Sequence, residues 1–87
     1  MTDPAGPVEA LRRELTAIAQ LGRTEPAAAL ARCEGLLQAY PRLVAARCLA
    51  GHLLRRLGRV EEARREIEAA LALDPAAPPA LSEAAQL

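Results

Sequence analysis

The sequence predicts an all-α fold in which about five helices pair in antiparallel fashion through short turns. Ala and Leu dominate the apolar residues while Phe and Trp are absent, and small and aliphatic side chains of this kind favour helix over strand. Apolar residues also recur at three- and four-residue steps inside segments bounded by Gly or Pro, which is the spacing of one helix face. A chain of 87 residues has room for one domain.

Charge and hydropathy exclude several classes of function. Eleven acidic residues balance eleven Arg residues, so the formal net charge is zero, which argues against binding to nucleic acid or to an anionic membrane. No apolar run approaches the roughly 20 residues that cross a bilayer, and the first residues lack the basic and apolar regions of a signal peptide. We therefore expect a soluble cytoplasmic protein with no nucleic-acid and no membrane partner.

The N-terminal part is predicted to be a flexible leader followed by an amphipathic helix. Residues 1–6 contain Pro4 and Gly6 without any periodicity and form the predicted leader. A first helix is expected over residues 7–21, and Gly22 ends it. Its apolar stripe consists of Val8, Leu11, Leu15, Ile18 and Leu21.

A second helix is predicted to follow the turn after Gly22. The hydroxyl of Thr24 is expected to cap its N-terminus, and Pro26 suits its first turn. This helix runs to about Ala39, and Pro41 closes the unit because a proline disfavours helical geometry in the residue before it. The residues expected on its outward side are Arg32, Glu34 and Gln38.

The third and fourth helices repeat this arrangement. The third is predicted over residues 41–57, with Gly58 at its C-terminal end. The fourth begins near Val60 and stops at Asp74 and Pro75. Its surface is expected to carry four-apart ion pairs, Glu61 with Arg65 and Arg64 with Glu68.

The order helix, Gly turn, helix, Pro thus occurs twice, and the closing residues Pro41 and Pro75 stand 34 positions apart. A fixed period of this size is typical of stacked helix pairs. On these positions the chain resembles the tetratricopeptide repeat family. In the second unit, the positions that fall in the register of the family are Gly51, Leu54, Gly58, Ala63, Ile67, Ala70 and Pro75.

The resemblance implies a short right-handed α-solenoid with one domain over residues 7–87. Repeat 1 covers about 10–43 and is degenerate, since Gly22 precedes Gly58 by 36 positions instead of 34. Repeat 2 covers about 44–77. A capping helix is expected over about 79–87.

Members of this family hold a peptide or a helix of another protein on the face made by the first helix of each pair. The resemblance therefore implies a partner-binding groove at Leu11, Glu14, Ile18, Leu21, Ala45, Cys48, His52, Arg55 and Arg56. Such a groove is apolar at one end and basic at the other, which suits a ligand with aliphatic anchors and an acidic group. A structural role competes with binding, because Arg55 and Arg56 also lie near the negative end of a helix.

The leading interpretation is an adaptor or scaffold without enzymatic activity, cofactor or metal. Two repeats are fewer than usually bury a continuous core, so self-association into a homo-oligomer is an alternative function. A regulatory, non-catalytic segment of a larger enzyme is a third.

Cys48 and His52 stand one helical turn apart, where a thiol and an imidazole could reach one metal ion or form a nucleophile pair. Two ligands fall short of the three or four of a zinc site, and no third catalytic group is evident. Cys33 occupies a predicted core position, so both cysteines are interpreted as free thiols.

Overall fold

A computed structural model of the protein describes residues 6–76. These residues form four helices and no strand, which confirms the all-α prediction. The helices are α1 (Gly6–Leu21), α2 (Pro26–Ala39), α3 (Val44–Arg56) and α4 (Val60–Leu73). Gly6 belongs to α1, so its assignment to the leader is wrong. The rest of the leader and the predicted capping helix over 79–87 lie outside the described residues.

The α2–α3 connection is longer than predicted, because α3 begins at Val44 and not at Pro41. The amide of Leu43 donates to the carbonyl of Tyr40 at 3.1 Å, which closes a β-turn with Pro41 in its second position. The fixed φ of proline suits that position. Pro41 therefore builds the turn, and the helix starts only after the chain has reversed direction.

The turn between α3 and α4 is built around a glycine. Gly58 has a φ of 81°, and the amides of Gly58 and Arg59 donate to the carbonyls of Arg55 and Leu54 at 3.0 and 2.9 Å. This is the Schellman pattern, in which a left-handed glycine allows the last carbonyls of a helix to be satisfied. The prediction that Gly58 ends the third helix is confirmed.

The predicted cap at Thr24 is wrong. Glu25 is the N-cap residue of α2, and no side chain caps this end. The hydroxyl of Thr24 points back toward α1 and donates to the carbonyl of Leu21 at 3.5 Å. Pro26 does occupy the first turn of α2, as predicted. Since proline has no amide hydrogen, it leaves one donor fewer to be satisfied at this helix start.

Helix α3 is the centre of the packing. It packs against α2 and α4 and also meets α1, whereas the Cα atoms of α2 and α4 stay more than 8 Å apart. Buried side chains from all four helices form the core, and the largest fully buried ones are Ile18, Leu53, Ile67 and Cys33. The core is therefore aliphatic, as the composition predicts.

Glycine allows a close contact between α3 and α4. A Cβ atom built at Gly51 would lie 2.5 Å from Cδ1 and 2.8 Å from Cγ1 of Ile67, so α4 packs against α3 at a distance that only glycine permits. Ala63 is also fully buried. Small residues at such contacts let two helices approach until the neighbouring large side chains fill the space.

The outer side of α1 is polar. The residues that line a shallow depression there are Glu9, Arg12, Arg13, Thr16, Ala17 and Gln20. A polar face of this kind suits contact with solvent. Among residues 6–76, no helix combines the length and the apolar character needed to cross a bilayer.

Candidate functional site

The predicted groove residues on α1 are largely occupied in packing within the chain. Ile18 is fully buried in the core, so its placement on an open surface is wrong. Leu11 and Leu21 are half-buried, and Leu21 packs against the core. Glu14 accepts hydrogen bonds at 2.8 and 3.0 Å from the guanidinium of Arg32 on α2. The side chains on this side of α1 therefore mainly contact α2 and the core, and few of them are available to a ligand.

The predicted groove residues on α3 are scattered among different environments. Ala45 is exposed, but Cys48 retains only 4% of its surface and packs with Ile67 and Ala70. Placing Cys48 on an open surface is therefore a second error. The imidazole Nδ1 of His52 lies 3.3 Å from a guanidinium nitrogen of Arg55. The cause of the misplacement is the close approach of α4, which covers the α3 face that Cys48 occupies.

Arg56 has a structural role in the first helix pair. Its guanidinium donates to the carbonyl of Gly22 and to that of Arg23 at 3.3 Å. These carbonyls directly follow the last residue of α1, where the helix dipole is negative and cations are stabilising. The competing interpretation of Arg56 as a helix-end cation is thus the one that the contacts favour, although the helix concerned is α1 and not α3.

An open groove of about 400 Å³ lies between α2 and α4, with α3 beneath it. We call it the α2–α4 groove. It exists because α2 and α4 each pack on α3 while their Cα atoms stay more than 8 Å apart. Its lining residues are Leu30, Glu34, Leu37 and Gln38 from α2, Arg47, Ala50 and Leu54 from α3, and Glu62, Arg65 and Glu66 from α4. This volume falls within the range of about 300–1,000 Å³ that is usual for ligand sites.

This groove and the predicted one use nearly opposite faces of α3. An α-helix turns about 100° per residue, which places Ala50 and Leu54 on the side turned away from Ala45 and His52. The floor of the α2–α4 groove is apolar, because the side chains of Leu54 and Ala50 form it between the two walls. The methyl of Ala50 is short, so the floor lies low between the wall helices.

Three of the five charged residues in the groove are bound by intramolecular ion pairs. Arg47 lies 2.8 Å from Glu66, and both side chains are about three-quarters buried. The guanidinium of Arg47 also donates to the carbonyl of Pro41 at 3.0 and 3.1 Å. At the other end, Arg59 lies 2.5 Å from Glu62, and the hydrogen bonds from this guanidinium lower the pKa of the Glu62 carboxyl.

The other two charged residues lie on different walls of the groove. Glu34 on α2 and Arg65 on α4 line the groove and are exposed. Neither forms a hydrogen bond or an ion pair with any residue between 6 and 76. The predicted pair of Arg65 with Glu61 is therefore not formed, and the same holds for Arg64 with Glu68.

The cysteines are free and buried, as predicted for Cys33. The thiol of Cys33 donates to the carbonyl of Ala46 at 3.2 Å, and burial, with a smaller contribution from the carboxylates of Glu66 and Glu34, raises its pKa to about 11. A thiol that stays protonated at neutral pH is a poor nucleophile and a poor metal ligand. Within the described part of the chain, no three His, Cys, Asp or Glu side chains come together to hold a metal ion.

The sequence predicted that Glu34 and Gln38 face outward, but it did not predict the groove that they line. The outward orientation of Glu34 and Gln38 is confirmed, since both are exposed. Their position beside α4 depends on a gap between two helices that are not neighbours in the sequence, and no periodic pattern reports such a gap. The small residue Ala50 between Arg47 and Leu54 is the one local signal that could have indicated a low floor.

Comparison with models of known protein families gives no match, and comparisons with curated proteins and with solved structures give none either. The resemblance to tetratricopeptide repeats therefore depends on the residues of this chain.

Proposed function

We propose that the chain is a polypeptide-binding module of the tetratricopeptide type, which holds a segment of a partner protein in the α2–α4 groove. One observation carries the proposal: the Cα atoms of α2 and α4 stay more than 8 Å apart, and an open groove with charged rims lies between them over α3. Grooves of this kind between packed helices accept the apolar face of an amphipathic helix, whose side chains at three- and four-residue steps enter the channel.

In this proposal, α1–α2 and α3–α4 are two stacked repeats of a short right-handed solenoid, and the protein is a cytoplasmic adaptor or scaffold. The contact between Arg56 and Gly22 supports the stacking, since it joins the C-terminal end of α3 to the turn of the first helix pair. A repeated unit predicts contacts between neighbouring repeats.

The α2–α4 groove is a better candidate than the surface predicted from the resemblance. On that surface, Ile18 and Cys48 are buried, Glu14 pairs with Arg32 and Arg56 binds carbonyls of the first turn. A ligand there would have to compete with contacts that hold the fold together. The floor residues of the α2–α4 groove are also buried, with Ala50 1% and Leu54 4% exposed. The groove nevertheless has an open volume of about 400 Å³ beside the exposed side chains of Glu34, Gln38 and Arg65.

The test is to select binders and to map where they bind. A phage library of 18-residue peptides would be selected on the purified 87-residue protein, and the recovered peptides titrated into ¹⁵N-labelled protein. The proposal predicts that the largest chemical-shift changes occur at α2 and α4 residues of the groove, such as Gln38 and Arg65. Gln38→Trp, which places an indole in the groove, should weaken binding at least tenfold.

Ala31→Trp supplies the matched control, since Ala31 is an exposed α2 residue outside the groove. Its affinity should equal that of the unmodified protein. Shift changes that cluster at Ala45 and His52 would transfer the binding role to the opposite side of α3. Failure to recover any binder from the library would refute polypeptide binding.

A further inference from the structure

Two charged residues of the α2–α4 groove form neither an ion pair nor a hydrogen bond with the described residues, and they have opposite signs. Arg47, Glu62 and Glu66 are held in ion pairs inside the protein. Glu34 and Arg65 form no ion pair or hydrogen bond among the described residues, and they stand on different walls. Of the groove residues without an ion pair, the one on the α2 wall is therefore acidic and the one on the α4 wall is basic.

This distribution constrains what can cover the groove. A segment that lies over Glu34 and Arg65 displaces water from both, and an ionised group that loses water without gaining a counter-charge is destabilised. A purely aliphatic ligand would leave both charges in that state. A ligand with the same charge on both flanks would satisfy one wall and repel the other.

We propose that the natural occupant is an amphipathic helix of a partner protein that carries an aliphatic stripe between one basic flank and one acidic flank. The aliphatic side chains lie over Ala50 and Leu54, the basic flank meets Glu34, and the acidic flank meets Arg65. This inference rests on the proposed function, because it assigns the chemistry of the polypeptide that the same groove holds.

The charge pattern also determines the direction of the bound helix. Turning a helix end for end exchanges its two flanks, so only one of the two directions brings the basic flank to Glu34 and the acidic flank to Arg65. The opposite direction creates two like-charge contacts in place of two attractive ones. A partner with mixed flanks is thus bound in a single orientation, although the shape of the groove admits both.

The test uses three synthetic 18-residue helical peptides with one common Leu stripe. Their flanks are Lys and Glu, Lys on both sides, or Glu on both sides, and binding is followed by fluorescence anisotropy at low ionic strength, where screening is weak. The unmodified protein should bind the mixed peptide roughly three- to tenfold more tightly than either of the others, since exposed ion pairs contribute modestly.

Wall variants should then change the ranking of the peptides. Glu34→Arg makes both walls basic and should prefer the peptide with two Glu flanks, while Arg65→Glu should prefer the one with two Lys flanks. The double variant should again prefer the mixed peptide, bound in the reverse direction. The controls are the same charge changes at exposed α4 positions outside the groove, Arg64→Glu and Glu68→Arg, which should leave the ranking unchanged.

The two proposals fail in different ways. If the unmodified protein binds all three peptides but the ranking is the same in every wall variant, the charge rule is overturned while polypeptide binding stands. If no peptide binds any of the proteins, both proposals are refuted for this groove. Circular dichroism of each variant confirms that a change in ranking does not arise from unfolding.

Discussion

Substitution of Gly51 by Ala tests the close contact on which the α3–α4 pairing depends. Gly51 lies inside α3, where Ala ordinarily stabilises a helix by about 1 kcal/mol relative to Gly. In this structure the new methyl would lie 2.5 Å from Cδ1 and 2.8 Å from Cγ1 of Ile67. Ile67 is buried and β-branched, so its side chain has little freedom to move aside.

The net effect follows from two opposing magnitudes. Overpacking of a well-filled core costs about 1–3 kcal/mol, and the gain in helix propensity offsets about 1 kcal/mol of it. We therefore expect Gly51→Ala to lower the free energy of unfolding by about 1 kcal/mol. For a domain of this size, that change lowers the Tm by roughly 4–8 °C.

Gly35→Ala is the matched control. Gly35 also lies inside a helix, but a methyl there would meet no described atom within 4 Å. This variant should raise the free energy of unfolding by about 0.5–1 kcal/mol through propensity alone. Urea denaturation of both variants would show a difference of roughly 2 kcal/mol between them, which exceeds the usual error of such measurements.

A double-mutant cycle identifies the atom responsible. Ile67→Val removes Cδ1 and alone costs about 0.5–1.5 kcal/mol. When combined with Gly51→Ala, it removes the nearest clash while the added methyl fills part of the space. The double variant should therefore lose about 1 kcal/mol less free energy of unfolding than the two single variants lose in sum. The close contact would be refuted if Gly51→Ala stabilised the protein as much as Gly35→Ala does. It would also be refuted if the effects of Gly51→Ala and Ile67→Val on the free energy of unfolding were strictly additive.

Three further predictions concern other parts of the fold. Gly58→Ala forces a side chain into a φ of 81° and should lower the free energy of unfolding by about 1 kcal/mol in urea denaturation. Arg56→Met keeps the aliphatic stem but removes the donors to the carbonyl of Gly22; hydrogen exchange at the α1–α2 turn should accelerate, with a loss of roughly 1 kcal/mol. Because the pKa of the Cys33 thiol is raised to about 11, its stabilising contribution is complete below pH 9 and is lost between pH 9 and 11. The free energy of unfolding should therefore fall by about 1 kcal/mol more in the unmodified protein than in Cys33→Ala between pH 8 and 10.

The helices themselves could be predicted because their determinants are local. The apolar spacing and the flanking Gly and Pro residues indicated where α2 and α4 begin and end, and Gly58 was assigned to the position that has a positive φ. The errors at Thr24 and Pro41 also concern local chemistry. Thr24 bonds backward to α1, and Pro41 completes a β-turn before the helix starts.

The candidate site could not be predicted in the same way. Ile18 and Cys48 were placed on an open surface by the register of the tetratricopeptide repeat family, but neighbouring helices bury both side chains. Arg47 illustrates the opposite case: the sequence alone does not indicate its ion pair with Glu66, which is 19 positions away. The exposure of a side chain depends on which distant residue approaches it.

The sequence by itself determined that this chain is helical, where its helices turn, and that its core is aliphatic, because those properties depend on residues within one or two turns of each other. Only the tertiary structure decided which face remains open. Helices α2 and α4 both pack on α3 yet stay apart from each other. Their separation leaves Glu34 and Arg65 on different walls of one groove, and it is set by how helices that are distant in the sequence pack on α3.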